Sequence, residues 1–203
     1  LRPISTARCP YDLGGLYRRV ERILTNPQGR NYNVTSASLA FGLPAIGTAY
    51  DSDRSALYRA QVTGEGGWTM RLEVEEATYP LDGGPPAFLP GPNPRRLVEV
   101  DTLSVRYDIA ITLPEGPPSL GQCLTVSDAI TVLEANGWTD ETALANLSVR
   151  DGGFASPTFK AHEGGTEIIL RMASLGRVAT EADRAEHCLT GVTVMQPPLV
   201  ELR

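Results

Sequence analysis

His162 and His187 are the only side chains of this 203-residue protein whose ordinary titration falls near neutral pH, and each has a neighbour with which it could do chemistry. His162-Glu163 matches the opening of the H-E-x-x-H pattern, in which two histidines one helical turn apart hold zinc and the glutamate acts as base. The fifth position here is Thr166, and Gly164-Gly165 would break the helix, so the pair reads as a hairpin tip rather than a metal site. His187 and Cys188 are adjacent on a predicted helix, where their side chains diverge by about 100° and do not share one site. Cys123 could approach either, but a Cys-His nucleophile needs an orienting third group, and the local sequence supplies none.

The carboxylates Glu73, Glu75 and Glu76 lie at the end of a predicted strand, with Glu73 and Glu75 sharing the solvent face with Arg71. Paired carboxylates can hydrolyse glycosides, but their separation and burial decide that, and a solvated strand edge is the simpler reading. Asp51 and Asp53 have the opening spacing of a calcium loop, yet Ala56 stands where that loop needs Gly and Val62 where it needs a bidentate Glu. No G-x-S-x-G elbow, G-x-x-x-x-G-K-[ST] loop or G-x-G-x-x-G turn after a strand occurs. The sequence therefore assigns no catalytic residue, no metal ligand and no cofactor.

The elements that would position a site belong to an ordinary globular chain: 41% hydrophobic and 21% charged residues, enough for one core without a metal. The net charge of -6 opposes general nucleic-acid binding, although residues 1–30 hold six arginines against Asp12 and Glu21. That asymmetry reads as a solvated helix face. No apolar run approaches the roughly 20 residues of a membrane span. Lys160 is the single lysine among seventeen arginines, a usage that suggests a GC-rich bacterium or its phage, where the sequons at Asn33 and Asn146 carry no meaning. Cys123 and Cys188 each flank a helix with a capping signal, and a disulfide between them is expected, with three buried free thiols as the competing reading. A disulfide implies a periplasmic or secreted protein.

Leu13, Leu16, Val20, Ile23 and Leu24 form one helical stripe that ends at Asn26-Pro27. Tyr32 to Phe41 is rich in β-branched and aromatic residues and reads as a strand followed by a loop. Alternation predicts strands through Tyr58, Ala60 and Val62 and through Met70, Leu72 and Val74, with Val62 opposite Trp68 and a loop over Thr63 to Gly67. Leu103 to Leu113 alternates most strictly and is expected to be central. Thr125 and Asp128 cap a second helix that stops at Asn136-Gly137. A strand at Leu144 to Val149, a hairpin of Thr158 to Ala161 with Glu167 to Met172, a short helix marked by Thr180 and Asp183, and a strand at Gly191 to Met195 complete the order.

These elements predict one α+β domain spanning residues 1–203, a mostly antiparallel sheet with two to three helices packed on it. The turns Glu65-Gly66-Gly67 and Glu163-Gly164-Gly165 precede similar alternations at a spacing of 98 residues, which raises a duplicated helix-plus-sheet unit with halves 10–114 and 119–203, against coincidence. With no catalytic signature, the expected function is a protein-binding module of the cell envelope or exterior: an inhibitor, an immunity-type protein or an accessory subunit. Its alternatives are a structural component of a phage or secretion particle and an enzyme built from scattered Asp, Glu, Arg and Tyr residues. The expected partner-binding surface is the proline-rich segment Pro80 to Pro94, where Phe88 and Leu89 stand between Pro86 and Pro90. These two side chains either anchor a partner or fold back as a plug over a sheet end.

Overall fold

The computed structural model describes residues 6–8, 11–26, 33–43, 46–51, 55–79, 102–114, 122–141, 158–161, 166–172 and 181–200. Among the described residues nine strands form one sheet: β1 (Thr6–Arg8), β2 (Gly47–Asp51), β3 (Ser55–Thr63), β4 (Thr69–Tyr79), β5 (Thr102–Thr112), β6 (Trp138–Asp140), β7 (Thr158–Ala161), β8 (Glu167–Met172) and β9 (Leu189–Val200). Their order is β1-β3-β4-β5-β9-β8-β7-β6, with β2 beside β1 on the same flank of β3. Every pairing is antiparallel except β1 with β3. The fold is α+β, and β5 is central, lying between β4 and β9. Four helices are described, α1 (Leu13–Leu24), α2 (Val34–Phe41), α3 (Val126–Ala135) and α4 (Glu181–Glu186), one more than the two to three expected.

The extra helix is α2, which replaces the strand expected over Tyr32 to Phe41. Asn33 accepts from the Ser36 N–H while the Ser36 hydroxyl accepts from the Asn33 N–H, a reciprocal cap that outweighs the β-branched content of Val34 and Thr35. Gly42 ends the helix in the left-handed region at φ 59°, and Leu43 N–H returns to Ser38 O. The tertiary frame holds the same end, because the Tyr107 hydroxyl donates to Asn33 O at 3.0 Å. In α1, Asp12 caps Gly15 N–H at 2.7 Å, and Leu16, Val20, Ile23 and Leu24 face inward. A Cβ at Gly15 would stand 2.9 Å from Tyr11 Cβ, so this glycine, which weakens the first turn, is what lets Tyr11 pack there.

The β3–β4 hairpin differs from expectation by two residues: Val62 pairs with Met70, Ala60 with Leu72 and Tyr58 with Val74. A shift of two preserves the faces, so the inward set is unchanged. Gly64 N–H donates to Trp68 O at 2.9 Å, and the Trp68 ring lies over Gly64, where an added Cβ would overlap it. Trp68 thereby belongs to the loop and the core rather than to the ladder. Glu73, Glu75 and Glu76 are not at an edge, since β4 runs on to Tyr79 between β3 and β5. His187 and Cys188 lie past the end of α4 rather than on a helix. The last strand extends beyond Gly191 to Met195; Pro197 and Pro198 are tolerated because they follow Met195, the last residue with a β8 partner. The strand expected at Leu144 to Val149 lies outside the described residues.

One hydrophobic cluster joins α1, α2 and α3 to a single sheet face, including Leu16, Val20, Phe41, Leu72, Val74, Tyr107, Ile109, Leu133, Ile168, Leu170, Val192 and Val194. Two buried hydrogen bonds fix the layers: the Tyr17 hydroxyl to Leu189 O at 2.7 Å and Trp138 Nε1 to Leu24 O at 2.9 Å. Burial pushes the Tyr17 phenol well above its ordinary range, so it stays a donor.

Candidate functional site

Strand alternation sends every second residue to the face turned away from the helices, and there the apolar pattern gives way to charge. Glu73 of β4 and Asp108 of β5 are direct register partners on this outer face. Like charges so placed repel, and the neighbouring strands supply the countercharges. Arg59, the β3 partner of Glu73, donates to Glu73 Oε1 at 2.5 Å, and Arg71 Nε approaches the same oxygen at 3.6 Å. Arg171 of β8 reaches across β9 to Asp108 Oδ1 at 2.7 Å and also donates to Ile109 O at 2.8 Å. The Thr193 hydroxyl donates to Asp108 Oδ1 at 2.7 Å. Gly191 makes this reach possible, since a Cβ there would stand 2.6 Å from Arg171 Nε.

Beside this network lies a cleft of about 270 Å³ lined by Tyr50, Ser55, Leu57, Glu73, Glu75, Arg106 and Asp108. Tyr50 reaches it through a bulge in β2. Thr48 opposes Tyr58 on the core face, but the extra residue Ala49 makes Tyr50 oppose Leu57 on the outer face. Tyr50 is 55% exposed, one of the two large hydrophobic side chains so exposed among the described residues. Glu75 and Arg106 are register partners at the wall of the cleft. Both are exposed, and neither forms an ion pair among the described residues. Among the described residues the arrangement offers carboxylates, an exposed guanidinium and an aromatic face on a β platform.

Other ionisable groups serve the scaffold. Glu76 lies on the helix side of β4 and accepts the Val34 N–H at 2.8 Å, placing a carboxyl at the start of α2. Burial raises its pKa above the usual carboxylate range, with the Val34 hydrogen bond opposing. Lys160 pairs with Glu141 at 2.7 Å, and this hydrogen bond and charge raise its pKa. His187 Nδ1 meets Asp183 O at 2.8 Å and closes the end of α4.

The structure joins Cys123 and Cys188 in a disulfide with a Cα–Cα distance of 5.7 Å. Leu189 N–H to Leu124 O and Val126 N–H to His187 O flank it. Pro86, Phe88, Leu89 and Pro90, like His162 and Glu163, lie outside the described residues. Among the described residues no group of three or more His, Cys, Asp or Glu is placed to hold a metal ion, and no helix is long and apolar enough to cross a membrane.

Sequence reasoning singled out Glu73 and Glu75 but not Tyr50, Arg106 or Asp108 as a group. Arg106 and Asp108 were legible as the polar side of β5; the bulge that turns Tyr50 outward has no signal in the sequence. The chain matches no protein-family model, no curated protein and no solved structure.

Proposed function

We propose that this chain is a non-enzymatic protein-binding module of the cell envelope or exterior, and that it engages its partner through the cleft on the outer sheet face. The observation that carries the reading is that Tyr50 of β2 and Arg106 of β5 line one cleft on a strand platform, with β3 and β4 between them, since tyrosine and arginine dominate binding hot spots. The carboxylates beside them are held by arginines and a threonine, which suits a fixed recognition surface better than a base that must change protonation. β4 ends at Tyr79 and β5 begins at Thr102, four residues from Glu75 and Arg106 respectively, and the sequence between them carries Pro86, Phe88, Leu89 and Pro90. The Cys123–Cys188 disulfide supports a site of action outside the cytosol. A second reading, an enzyme of scattered carboxylates, draws on the same gathering of Glu73, Glu75, Asp108, Arg106 and Tyr50.

A photo-reactive phenylalanine placed at position 50, and as a control at position 39 on α2, separates these readings in extracts of the source organism. Leu39 is 77% exposed on the helix layer. The binding module gives one discrete protein adduct from position 50 and none from position 39, and the adduct disappears when Glu75 and Arg106 are exchanged. Equal labelling from both positions, or an adduct indifferent to the exchange, overturns the proposal.

A further inference from the structure

Asn136-Gly137, which stops α3, is the only Asn-Gly pair in the chain, and such a pair carries a chemistry of its own. The Gly137 nitrogen can attack the side-chain amide carbon of Asn136, because glycine has no Cβ to hinder the approach. The bond from Gly137 N to Asn136 Cγ forms, the Cγ–Nδ2 bond breaks, and the amide leaves as ammonia with the proton of the Gly137 nitrogen. Water then opens the succinimide at either carbonyl, giving aspartate or isoaspartate. The pair itself is there for the turn, since Gly137 sits at φ 82°, in the left-handed region that closes a helix.

The folded chain holds the reacting groups apart. At ψ 14° the Gly137 nitrogen nearly eclipses the backbone nitrogen of Asn136 about the Cα–C bond, whereas ring closure needs it eclipsed with Cβ. A large rotation about that bond must come first, the side chain must turn with it, and a hydrogen bond opposes each movement. Gly137 N–H donates to Glu134 O at 3.1 Å, and Asn136 Nδ2, the leaving group, donates to Val132 O at 2.8 Å. Just beyond, Trp138 is buried with Nε1 donating to Leu24 O at 2.9 Å, so the turn is anchored on both sides. Gly137 is exposed, which gives water access once the turn opens. We propose that Asn136 is a self-modification site that the fold holds shut, converting to aspartate and isoaspartate only when the end of α3 opens. The product opposes reclosure. It loses the donor to Val132 O, sets a carboxylate beside Glu134 at the negative end of the helix dipole, and as isoaspartate adds a main-chain carbon between α3 and β6. A chain that has once opened and reacted there stays marked, whatever the outer-face cleft binds.

Ageing the protein in one mildly alkaline buffer tests this, read by the mass of the peptide Ala135–Glu141, which cleavage after glutamate releases with no other asparagine in it. The intact, oxidised protein is compared with the chain reduced, alkylated and unfolded in guanidinium chloride. The unfolded chain exchanges the Asn136 amide for an acid, with isoaspartate among the products. The folded protein does so at least about ten-fold more slowly, because conversion waits on local opening. Trp138→Phe, confirmed as folded by its melting transition, loses the anchor on Leu24 O and converts about two- to ten-fold faster than the parent, as the loss of one hydrogen bond implies. In the parent, with no variant needed, the protection of the Gly137 amide against hydrogen exchange should match the retardation. An unfolded chain that does not react at Asn136, a folded protein that converts as fast as the unfolded one, a folded Trp138→Phe that ages like the parent, or a Gly137 amide that exchanges freely each overturns the proposal.

Discussion

At Glu76 a carboxyl is held on the core side of β4 to cap α2, and its burial has a sign that can be measured. A pKa raised on folding means that the folded state favours the protonated form, so the contribution to stability is present below the unfolded value and is lost as pH rises through the folded one. Glu76→Gln keeps an acceptor for Val34 N–H and does not titrate. Urea titrations of the two proteins between pH 4 and pH 7 should therefore show the parent losing stability relative to the variant as pH rises; a pH-independent difference contradicts the burial account. Gly191 is the other telling residue, because Arg171 crosses it to reach Asp108. Gly191→Ala crowds both Arg171 and Ile109 O and should cost about 1–3 kcal/mol, as overpacking does, with loss of the Arg171–Asp108 pair. Neither role was legible in the sequence, where Glu76 is one of three acidic neighbours and Gly191 merely opens a strand. Side-chain reach across two strands depends on a register that only the folded sheet defines.

The elements were read with uneven success, and the failures share a cause. α1, α3, β5 and the β7–β8 hairpin follow from local signals, such as the apolar stripe of α1, the Thr125–Asp128 cap and the strict alternation of β5. α2 carries its own capping signal at Asn33 and Ser36, which outweighs a composition that favours a strand, and contacts with Tyr107 and Glu76 hold the same end. The β3–β4 register slipped because Trp68 looks like a strand residue until its ring is seen lying over Gly64. β5 carries the clearest energetic prediction at this scale. Ile109 is fully buried at its centre, so Ile109→Ala should cost about 2–5 kcal/mol in denaturant titration, and a loss under about 1 kcal/mol would deny β5 its central packing. The disulfide bridges the start of α3 to the start of β9 across a sequence separation of 65. Replacing Cys123 and Cys188 with Ser should cost about 2–5 kcal/mol by freeing the unfolded chain. Alkylation without reductant should modify one cysteine of the three, and modification of all three would contradict the bond.

Across the described sheet β4, β3 and β2 follow one another on one side of the β5–β9 pair and β8, β7 and β6 on the other, with β1 an addition beside β3 that has no counterpart. The correspondence of Met70 with Ile168 and Leu72 with Leu170, proposed from the matching turns, carries Ile111 onto Val194 and Ile109 onto Val192 through their ladders. Ile109 and Val192 are themselves register partners, so a two-fold axis through that pair would relate two helix-plus-sheet units. This geometry supports the proposal of a duplicated unit with halves 10–114 and 119–203. Because one core runs through both halves, thermal unfolding followed by far-UV and near-UV signals should give a single coincident transition, and two separated transitions would count against a shared core. The cleft itself belongs to one half and borrows Arg171 and Thr193 from the other, which is why no local motif announces it. The most direct test of its role is the affinity of the captured partner for the protein in which Glu75 and Arg106 are exchanged, Glu75→Arg with Arg106→Glu. Net charge is kept, and both side chains are exposed, so the fold should be unaffected. A recognition cleft predicts that the exchanged protein melts like the parent and loses the partner by at least about ten-fold; unchanged affinity in an equally stable protein would contradict the account.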